Sequence, residues 1–132
     1  MIGSLRGVLA SKRTGGAIVD VNGVGYIVNL PVSSLSDLPE EGKEIFLYIY
    51  THVREDAIQL YGFSDEEQKR IFTSLLNVSG VGPKLALSIV SGIPQEDFLR
   101  AIEAEDIEML SRVPGVGKKT AHRVVLELKG KL

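Results

Sequence analysis

Residues 78–84 read Val-Ser-Gly-Val-Gly-Pro-Lys, and residues 113–119, 35 positions later, read Val-Pro-Gly-Val-Gly-Lys-Lys. At the same offset Leu75 matches Leu110 and Ala86 matches Ala121, so the flanking segments are copied together with the glycine phrase. Apolar residues at helical spacing precede and follow each copy. The repeat therefore predicts two units, each made of a helix, a tight glycine hairpin and a second helix.

Each hairpin has the residue types of an anion-binding turn. Glycines two positions apart allow positive φ and close approach of a partner to the backbone, and Pro83 or Lys118 begins the next helix. The first amides of that helix are unpaired, and the lysines after each turn (Lys84, Lys118 and Lys119) add charge to its positive end. A phosphate diester is the predicted ligand. A plain corner between packed helices stays open as an alternative, but it is weaker for two copies in register.

Two nucleotide-binding motifs that also use glycine do not fit. A P-loop has glycine five positions before its Gly-Lys pair and Ser or Thr after it, where this chain has Arg112 and Lys119. A dinucleotide-binding turn follows a β-strand, whereas helical patterns precede both turns here. What remains is a pair of phosphate clamps suited to a polymer with regularly spaced phosphates.

Composition excludes further classes of site. The 132 residues contain no cysteine, and His52 and His122 are too few and too far apart for a metal centre, so we expect no metal and no cofactor. No apolar run approaches the length of a membrane span and the start lacks a signal-peptide pattern, so we expect a cytoplasmic protein without membrane contact. Hydrophobic content of 44% suffices for one ordinary domain or two small ones.

The net charge of −2 hides an uneven distribution. Residues 94–108 contain one basic residue and six acidic ones, whereas residues 109–132 contain six basic residues and only Glu127 as an acid. The basic side chains in or beside the last predicted helix are Lys118, Lys119, Arg123, Lys129 and Lys131. Such a segment would neutralise phosphates. The helix dipole explains Lys129 and Lys131 equally well, but it does not explain Lys118 and Lys119 at the opposite end.

The first 63 residues alternate apolar and polar side chains with period two. Strands are predicted at residues 1–10, 17–21, 24–30, 45–53 and 58–63. Gly15-Gly16 and Asn22-Gly23 are predicted hairpin turns, and residues 31–39 form a connection with room for a helical turn. Five short strands without helical crossovers are typical of a closed OB-like barrel.

Two surface features of this barrel have more than one interpretation. The outward side chains of the fourth strand are Glu44, Phe46, Tyr48, Tyr50 and His52. This set is aromatic but not basic, so a subunit interface is favoured slightly over single-stranded nucleic acid. At the next hairpin tip, Glu55 and Asp56 place two carboxylates side by side, which would repel phosphates or merely form a solvated turn.

Residues 64–67, Ser-Asp-Glu-Glu, read as a capping box with Ser64 as the N-cap of a helix that continues to about Asn77. The domain boundary is therefore predicted near residue 63. Beyond it, four further apolar faces at residues 85–90, 98–102, 107–110 and 118–128 predict helices separated by Pro94 and Pro114. The fold class is α+β: a barrel domain at residues 1–63, then an all-α domain at residues 64–132.

The chain resembles the RuvA family of bacterial Holliday-junction-binding proteins over its whole length. The resemblance lies in the motifs Gly23-Val24-Gly25-Tyr26, Val53-Arg54-Glu55-Asp56, Leu60-Tyr61-Gly62-Phe63 and the two glycine hairpins. It implies an OB-fold domain followed by two helix-hairpin-helix motifs, in a homotetramer that holds a four-way junction open for recombination and repair. It stays open whether the DNA is bound by one tetramer or enclosed by two tetramers, which together make an octamer.

The same resemblance implies which residues act. The residues that would bind backbone phosphates, without recognising the bases, are Ser79, Gly80, Val81, Gly82, Lys84, Gly115, Val116, Gly117, Lys118, Lys119 and Arg123. Glu55 and Asp56 match the acidic pin of the family, which faces the junction centre. Eight carboxylates from four subunits would keep the strand crossovers apart there and disfavour ordinary duplex.

The resemblance further implies a non-catalytic subunit that works with a hexameric RuvB-like ATPase motor. Whether the chain also binds a RuvC-like junction resolvase stays open. Family members continue into a third helical domain that engages the motor, whereas this chain stops at Leu132, so we expect junction binding without motor recruitment. Two alternatives stay open. One is a helix-hairpin-helix glycosylase, a class that has its catalytic Asp well beyond a hairpin, whereas Glu127 is the sole acidic residue after Gly117. The other is a general duplex-binding module of a repair protein.

Overall fold

The computed structural model describes residues 1–132. The strands are β1 (Ser4–Arg13), β2 (Gly16–Val21), β3 (Val24–Asn29), β4 (Glu44–Arg54) and β5 (Ala57–Phe63). The helices are α1 (Val32–Leu35), α2 (Glu66–Leu76), α3 (Pro83–Gly92), α4 (Gln95–Glu103), α5 (Ile107–Ser111) and α6 (Lys118–Leu128). The chain divides into two compact units, Met1–Lys69 and Arg70–Leu132. The class is α+β, as the sequence predicts.

The five strands close into a barrel in the order β1-β2-β3-β5-β4. Neighbouring strands are antiparallel except β3 and β5, which pair in parallel through Val28 and Leu60. Alternate side chains of each strand enter the interior, so Val28, Leu47 and Ile49 are almost completely buried. The predicted five-stranded, OB-like barrel is confirmed.

Glycine and asparagine make the tight connections of the barrel. Asn22 and Gly23 both have positive φ, 52° and 94°, which is the requirement of a type I′ hairpin turn. Asp20 Oδ1 accepts a hydrogen bond of 2.8 Å from the Gly23 amide and stabilises the turn. The turn predicted at Gly15-Gly16 lies one residue earlier: Thr14 and Gly15 connect the paired residues Arg13 and Gly16, and Gly15 has φ of 77°. Helix α1 supplies the helical turn in the longer connection.

Helix α2 begins one residue later than the sequence predicts. Asp65 Oδ1 accepts a hydrogen bond of 2.8 Å from the Gln68 amide, which is the bond that an N-cap residue makes to the third helical residue. The prediction of Ser64 as the N-cap is therefore wrong. The physical reason is that Ser and Asp are both strong N-cap residues, and β5 continues to Phe63, which leaves Asp65 rather than Ser64 beside the first turn.

The helices α3 to α6 each bury one apolar face. The core side chains of these helices include Ala86, Ile89, Phe98, Ala101, Ile102, Leu110, Ala121, Val124 and Leu128. Burying a side chain such as Phe98 contributes about 1.5–3 kcal/mol relative to leaving it in water. Asp106 caps α5 by accepting a hydrogen bond from the Met109 amide at 3.1 Å. These helices hold the two glycine hairpins at their ends.

Candidate nucleic-acid interface

The two glycine hairpins have the same backbone conformation. Gly80 has φ of 87° and Gly115 has φ of 91°, values in the left-handed region that only glycine adopts readily. The turn is closed by the same hydrogen bond in each copy, from Val81 N to Val78 O at 3.1 Å and from Val116 N to Val113 O at 3.0 Å. The sequence repeat is therefore a repeat of conformation.

The second glycine of each pair has a different structural role, as the N-cap of the following helix. Gly82 (φ −96°, ψ 179°) and Gly117 (φ −84°, ψ 172°) are extended N-caps, so only the first glycine of each pair uses positive φ. Their carbonyls accept the first helical hydrogen bonds, from Ala86 and Ala121, both at 2.9 Å. A β-carbon at either position would meet no atom within 4 Å. Glycine there leaves the surface open for close approach of a ligand.

Buried valines hold both turns against the helical core. Val78 and Val81 are 2% and 6% exposed, and their repeat partners Val113 and Val116 are both 5% exposed. The glycines and lysines between and after them stay at the surface. Each turn is therefore anchored from inside while its backbone faces water.

The first turns of α3 and α6 present amides that have no partner within the protein. In α3 these are the amides of Lys84 and Leu85, because Pro83 has none. In α6 they are the amides of Lys118, Lys119 and Thr120. Unpaired amides and a partial positive charge at a helix N-terminus favour a bound anion. The second hairpin thus has one more free donor than the first.

The lysines predicted to bind phosphate are exposed at these helix ends. Lys84 lies at the second position of α3, and Lys118 and Lys119 occupy the first two positions of α6. None of the three ammonium groups forms an ion pair with a carboxylate of the chain. Ser79 is also exposed, beside Gly80. The structure therefore brings the predicted residues of each hairpin together around one helix end.

Arg123 belongs spatially to the first hairpin, although it follows the second in sequence. Its Nη1 lies 3.2 Å from the position that a β-carbon of Gly80 would occupy. A matching contact joins the other pair of elements: Leu85 Cδ1 lies 3.2 Å from the β-carbon position of Gly115. Sequence reasoning missed Leu85, because it resembles any half-buried helical leucine and no local pattern connects it to a turn 30 residues away.

Lys129 lies at the other end of α6 and is paired within the protein. Its Nζ donates a hydrogen bond of 2.5 Å to Glu105 Oε2. This hydrogen bond lowers the pKa of the Glu105 carboxyl and raises the pKa of the Lys129 ammonium. The basic segment predicted from charge is therefore divided into unpaired cations at the hairpin and a paired one at the C-terminal end.

The two carboxylates of the β4–β5 hairpin lie at its tip. Glu55 and Asp56 form the two-residue turn between Arg54 and Ala57, and both are exposed. Neither carboxylate forms an ion pair or a hydrogen bond with the rest of the chain. The tip therefore places two unpaired carboxylates side by side, next to Arg54.

The outer face of β4 is aromatic, as predicted, and it also includes a cation. Phe46 packs edge-to-face on Tyr48 with ring centroids 5.1 Å apart, and the Arg6 guanidinium lies 4.9 Å from the Phe46 centroid. Arg6 comes from the neighbouring strand β1 and forms a 3.6 Å ion pair with Glu44. Burial raises the pKa of Tyr61. Sequence reasoning missed Arg6, because the pairing of β1 with β4 joins residues 40 positions apart.

No three His, Cys, Asp or Glu side chains come together in an arrangement that could bind a metal ion. Every helix is too short or too polar to cross a lipid bilayer.

Family comparisons cover both units. Residues 1–62 match the family described as RuvA N terminal domain, and residues 72–131 match SAM-like Helix-hairpin-helix tandem. The chain is 54% identical over 132 residues to a protein of Acidobacterium capsulatum named Holliday junction branch migration complex subunit RuvA, covering 100% of this chain and 67% of that protein.

Proteins of the same name from Stenotrophomonas maltophilia K279a and Desulforamulus reducens are each 50% identical. The matches cover 98% and 100% of this chain and 66% and 65% of those proteins. The chain thus spans about two thirds of the length of these relatives. With this identity over nearly every residue and a matching domain in each unit, the chain belongs to the RuvA family.

Proposed function

We propose that this chain is a sequence-independent, structure-specific subunit that binds four-way DNA junctions and holds them open. The observation that carries the proposal is the pair of hairpins with identical turns, unpaired helix-end amides and exposed lysines. Two such sites, each with a side chain from the helix of the other beside its turn, suit phosphates of one duplex arm. The names of the relatives, which specify a Holliday junction complex, support the same substrate class.

The residues of the hairpins favour contact with the DNA backbone over contact with base edges. Gly80, Gly82, Gly115 and Gly117 have no side chains, and the valines between them are buried. Ser79 and the three lysines donate to phosphate oxygens without distinguishing bases. This composition supports binding that depends on the shape of the DNA and not on its sequence.

Glu55 and Asp56 supply the proposed selectivity for a junction. In a tetramer four β4–β5 tips would meet near one axis and bring eight carboxylates together. Unit charges about 4 Å apart in water interact by about 1 kcal/mol, so such a cluster would repel phosphates at the centre. A duplex passing through the centre would face this repulsion, whereas an open junction leaves the centre free.

The proposed division of labour assigns tetramer assembly and the acidic pin to residues 1–63 and DNA binding to residues 64–132. Val24 and Ile27, on β3, are 53% and 59% exposed, which supports a subunit interface on the barrel. The name of the relatives describes a subunit of a branch migration complex, which supports a non-catalytic part for this chain beside a separate ATPase motor. We place this activity in the bacterial cytoplasm, where such a motor has access to chromosomal DNA.

A gel-shift series on a four-way junction, a linear duplex and a single strand of the same sequences tests the proposal. We expect the junction to bind at a protein concentration well below that needed for the duplex, and the single strand to bind least. Light scattering of the complex should give a protein mass that is a multiple of four 14.3-kDa chains. Equal affinity for junction and duplex would instead support a general duplex-binding module.

A further inference from the structure

Each hairpin glycine of left-handed conformation has beside it a side chain from the helix that follows the other hairpin. Leu85 of α3 lies over the β-carbon position of Gly115, and Arg123 of α6 lies over that of Gly80. We propose that Leu85 is a positioning residue for the second hairpin: it sets the place of the Gly115 turn and hence of the phosphate-binding amides of α6. The proposal rests on the proposed function, because it concerns how one of its two phosphate sites is held.

The place of Leu85 in α3 makes this contact possible. It is the third residue of the helix, after Pro83 and Lys84, and it is half-buried. Long side chains in a helix lean toward its N-terminus, so a leucine at this position extends over the end of α3 and not along its middle. Its Cδ1 methyl group lies 3.2 Å from the β-carbon position of Gly115, closer than ordinary van der Waals contact would allow for a real side chain there.

Leu85 lies beside the one residue of the second hairpin that has a left-handed conformation. Gly115 has φ of 91°, and it lies between Pro114, whose ring restricts its own φ, and the buried Val116. The Leu85 methyl group fills the space on the β-carbon side of Gly115, so the turn cannot shift toward that side without meeting it. Hydrogen bonds to an anion need donor–acceptor distances of about 2.7–3.2 Å, so a shift of the turn by even ~1 Å would weaken binding by the following amides.

The reciprocal contact has a different chemistry, which makes the two hairpins separable by experiment. Arg123 is exposed and brings a cation to the first hairpin, where Pro83 lacks an amide hydrogen and Lys84 is the only lysine. Leu85 brings only apolar contact to the second hairpin, which already has Lys118 and Lys119. The Leu85 side chain thus affects phosphate binding through position alone.

A thermodynamic cycle with equivalent lysines tests this assignment. Lys84 and Lys119 occupy the second position of α3 and α6, respectively, and differ by the 35-residue repeat. Leu85→Ala is combined with Lys84→Ala and, separately, with Lys119→Ala, and affinity for a synthetic four-way junction is measured for each single and double variant of the full chain. Leu85 is adjacent to Lys84 in sequence, so a purely local effect would couple these two residues.

We expect coupling to the distant lysine and not to the adjacent one. The factor by which Lys119→Ala lowers junction affinity should be at least about threefold smaller in the Leu85→Ala background than in the wild type. For Lys84→Ala and Leu85→Ala, the loss of affinity in the double variant should equal the product of the two single losses to within about twofold. Leu85→Ala alone should reduce the slope of log affinity against log salt by about 0.9 for each DNA phosphate that the variant no longer binds. Leu85→Met should restore both the affinity and the slope.

Thermal unfolding separates positioning from loss of the fold. If Leu85→Ala is unfolded at the assay temperature, Leu85→Val, which removes a single methylene, takes its place in the same cycle with the same expected pattern. Two outcomes would overturn the role of Leu85 but leave the phosphate sites in place. One is coupling of Leu85 to Lys84 in place of Lys119. The other is wild-type affinity and salt slope in the Leu85 variant while Lys119→Ala weakens binding. Full affinity in both lysine variants would overturn the proposed phosphate sites and the role of Leu85 with them.

Discussion

Glu105 accepts a hydrogen bond of 2.5 Å from Lys129 and so ties the connection between α4 and α5 to the C-terminal end of α6. Glu105 itself has φ of 53°, an uncommon conformation for a residue with a side chain. It occupies the left-handed position of a Schellman motif, in which the Asp106 amide donates to Ala101 O at 2.8 Å and the Glu105 amide donates to Ile102 O at 3.2 Å. The pair therefore joins the C-terminal end of α6 to this motif, at the opposite end of the helix from Lys118 and Lys119.

The Glu105–Lys129 pair predicts a pH dependence of stability. The hydrogen bond lowers the pKa of Glu105 below 4.5, so its stabilising contribution is present above pH 4.5 and is lost as the pH falls through the lower pKa of the folded state. The raised pKa of Lys129 gives a contribution that is present below pH 10.5 and lost as the pH rises through the folded value. The window of full contribution therefore lies between these limits.

Glu105→Gln tests this window by scanning calorimetry. We expect the variant to unfold at a lower temperature than the wild type at pH 7 and the difference to vanish near pH 2, because the Glu105 carboxyl is then neutral, as the amide of Gln is. The effect should be small and should shrink in 1 M salt, since both groups are exposed. Glu40→Gln, which removes an exposed carboxylate of the barrel, serves as the control. A difference that persists near pH 2 would contradict the ion-pair explanation.

The two glycines of each hairpin should respond differently to alanine. Gly80→Ala and Gly115→Ala place a side chain at positive φ and should each lower the free energy of unfolding by about 1–2 kcal/mol. Gly82→Ala and Gly117→Ala adopt an ordinary φ and meet no atom, so their cost should not exceed about 1 kcal/mol of weaker N-capping.

Junction affinity should show the opposite order once the variants are compared at temperatures where each is folded. A methyl group at Gly82 or Gly117 projects from the open surface of the N-cap and would block approach of a phosphate. Urea denaturation and gel shifts on the same four proteins measure the two effects. Wild-type affinity in Gly82→Ala and Gly117→Ala would show that DNA does not approach the backbone there.

The lysines at the start of α6 should determine much of the salt dependence of DNA binding. Replacing Lys118 and Lys119 by alanine should weaken binding to every DNA form and reduce the salt slope by about 0.9 for each phosphate that is no longer neutralised. Lys129→Ala is the matched control at the C-cap of the same helix, about 15 Å away and already bonded to Glu105. We expect little change in its slope, and equal slopes in the two variants would show that the phosphate site is misassigned.

The acidic tip should control the choice between junction and duplex. Glu55→Gln combined with Asp56→Asn removes the exposed charges, and we expect duplex affinity to rise by roughly fivefold or more while junction affinity changes less. Asp37→Asn with Glu40→Gln removes the same charges from another exposed part of the barrel and should leave the affinity ratio unchanged. An unaltered ratio in the tip variant would argue against selectivity by Glu55 and Asp56.

Local patterns predicted the elements better than their exact ends. The alternation of β4 and the glycine phrase before α6 were sufficient, and α6 spans Lys118–Leu128 as expected. The N-cap of α2 was predicted one residue too early because Ser64 and Asp65 are both good capping residues, and only the end of β5 decides between them. Likewise, Gly80 and Gly82 read alike in sequence, but only Gly80 has positive φ.

The sequence by itself determined the barrel, the two hairpins and the residues at their turns, because strand alternation, helix caps and glycine turns depend on neighbours within a few positions. Only the tertiary structure decided that Leu85 meets Gly115, that Arg123 meets Gly80, and that Lys129 is bonded and Lys119 is free. Those interactions join residues 24 to 43 positions apart, and they depend on how whole helices pack. No short-range propensity contains that information.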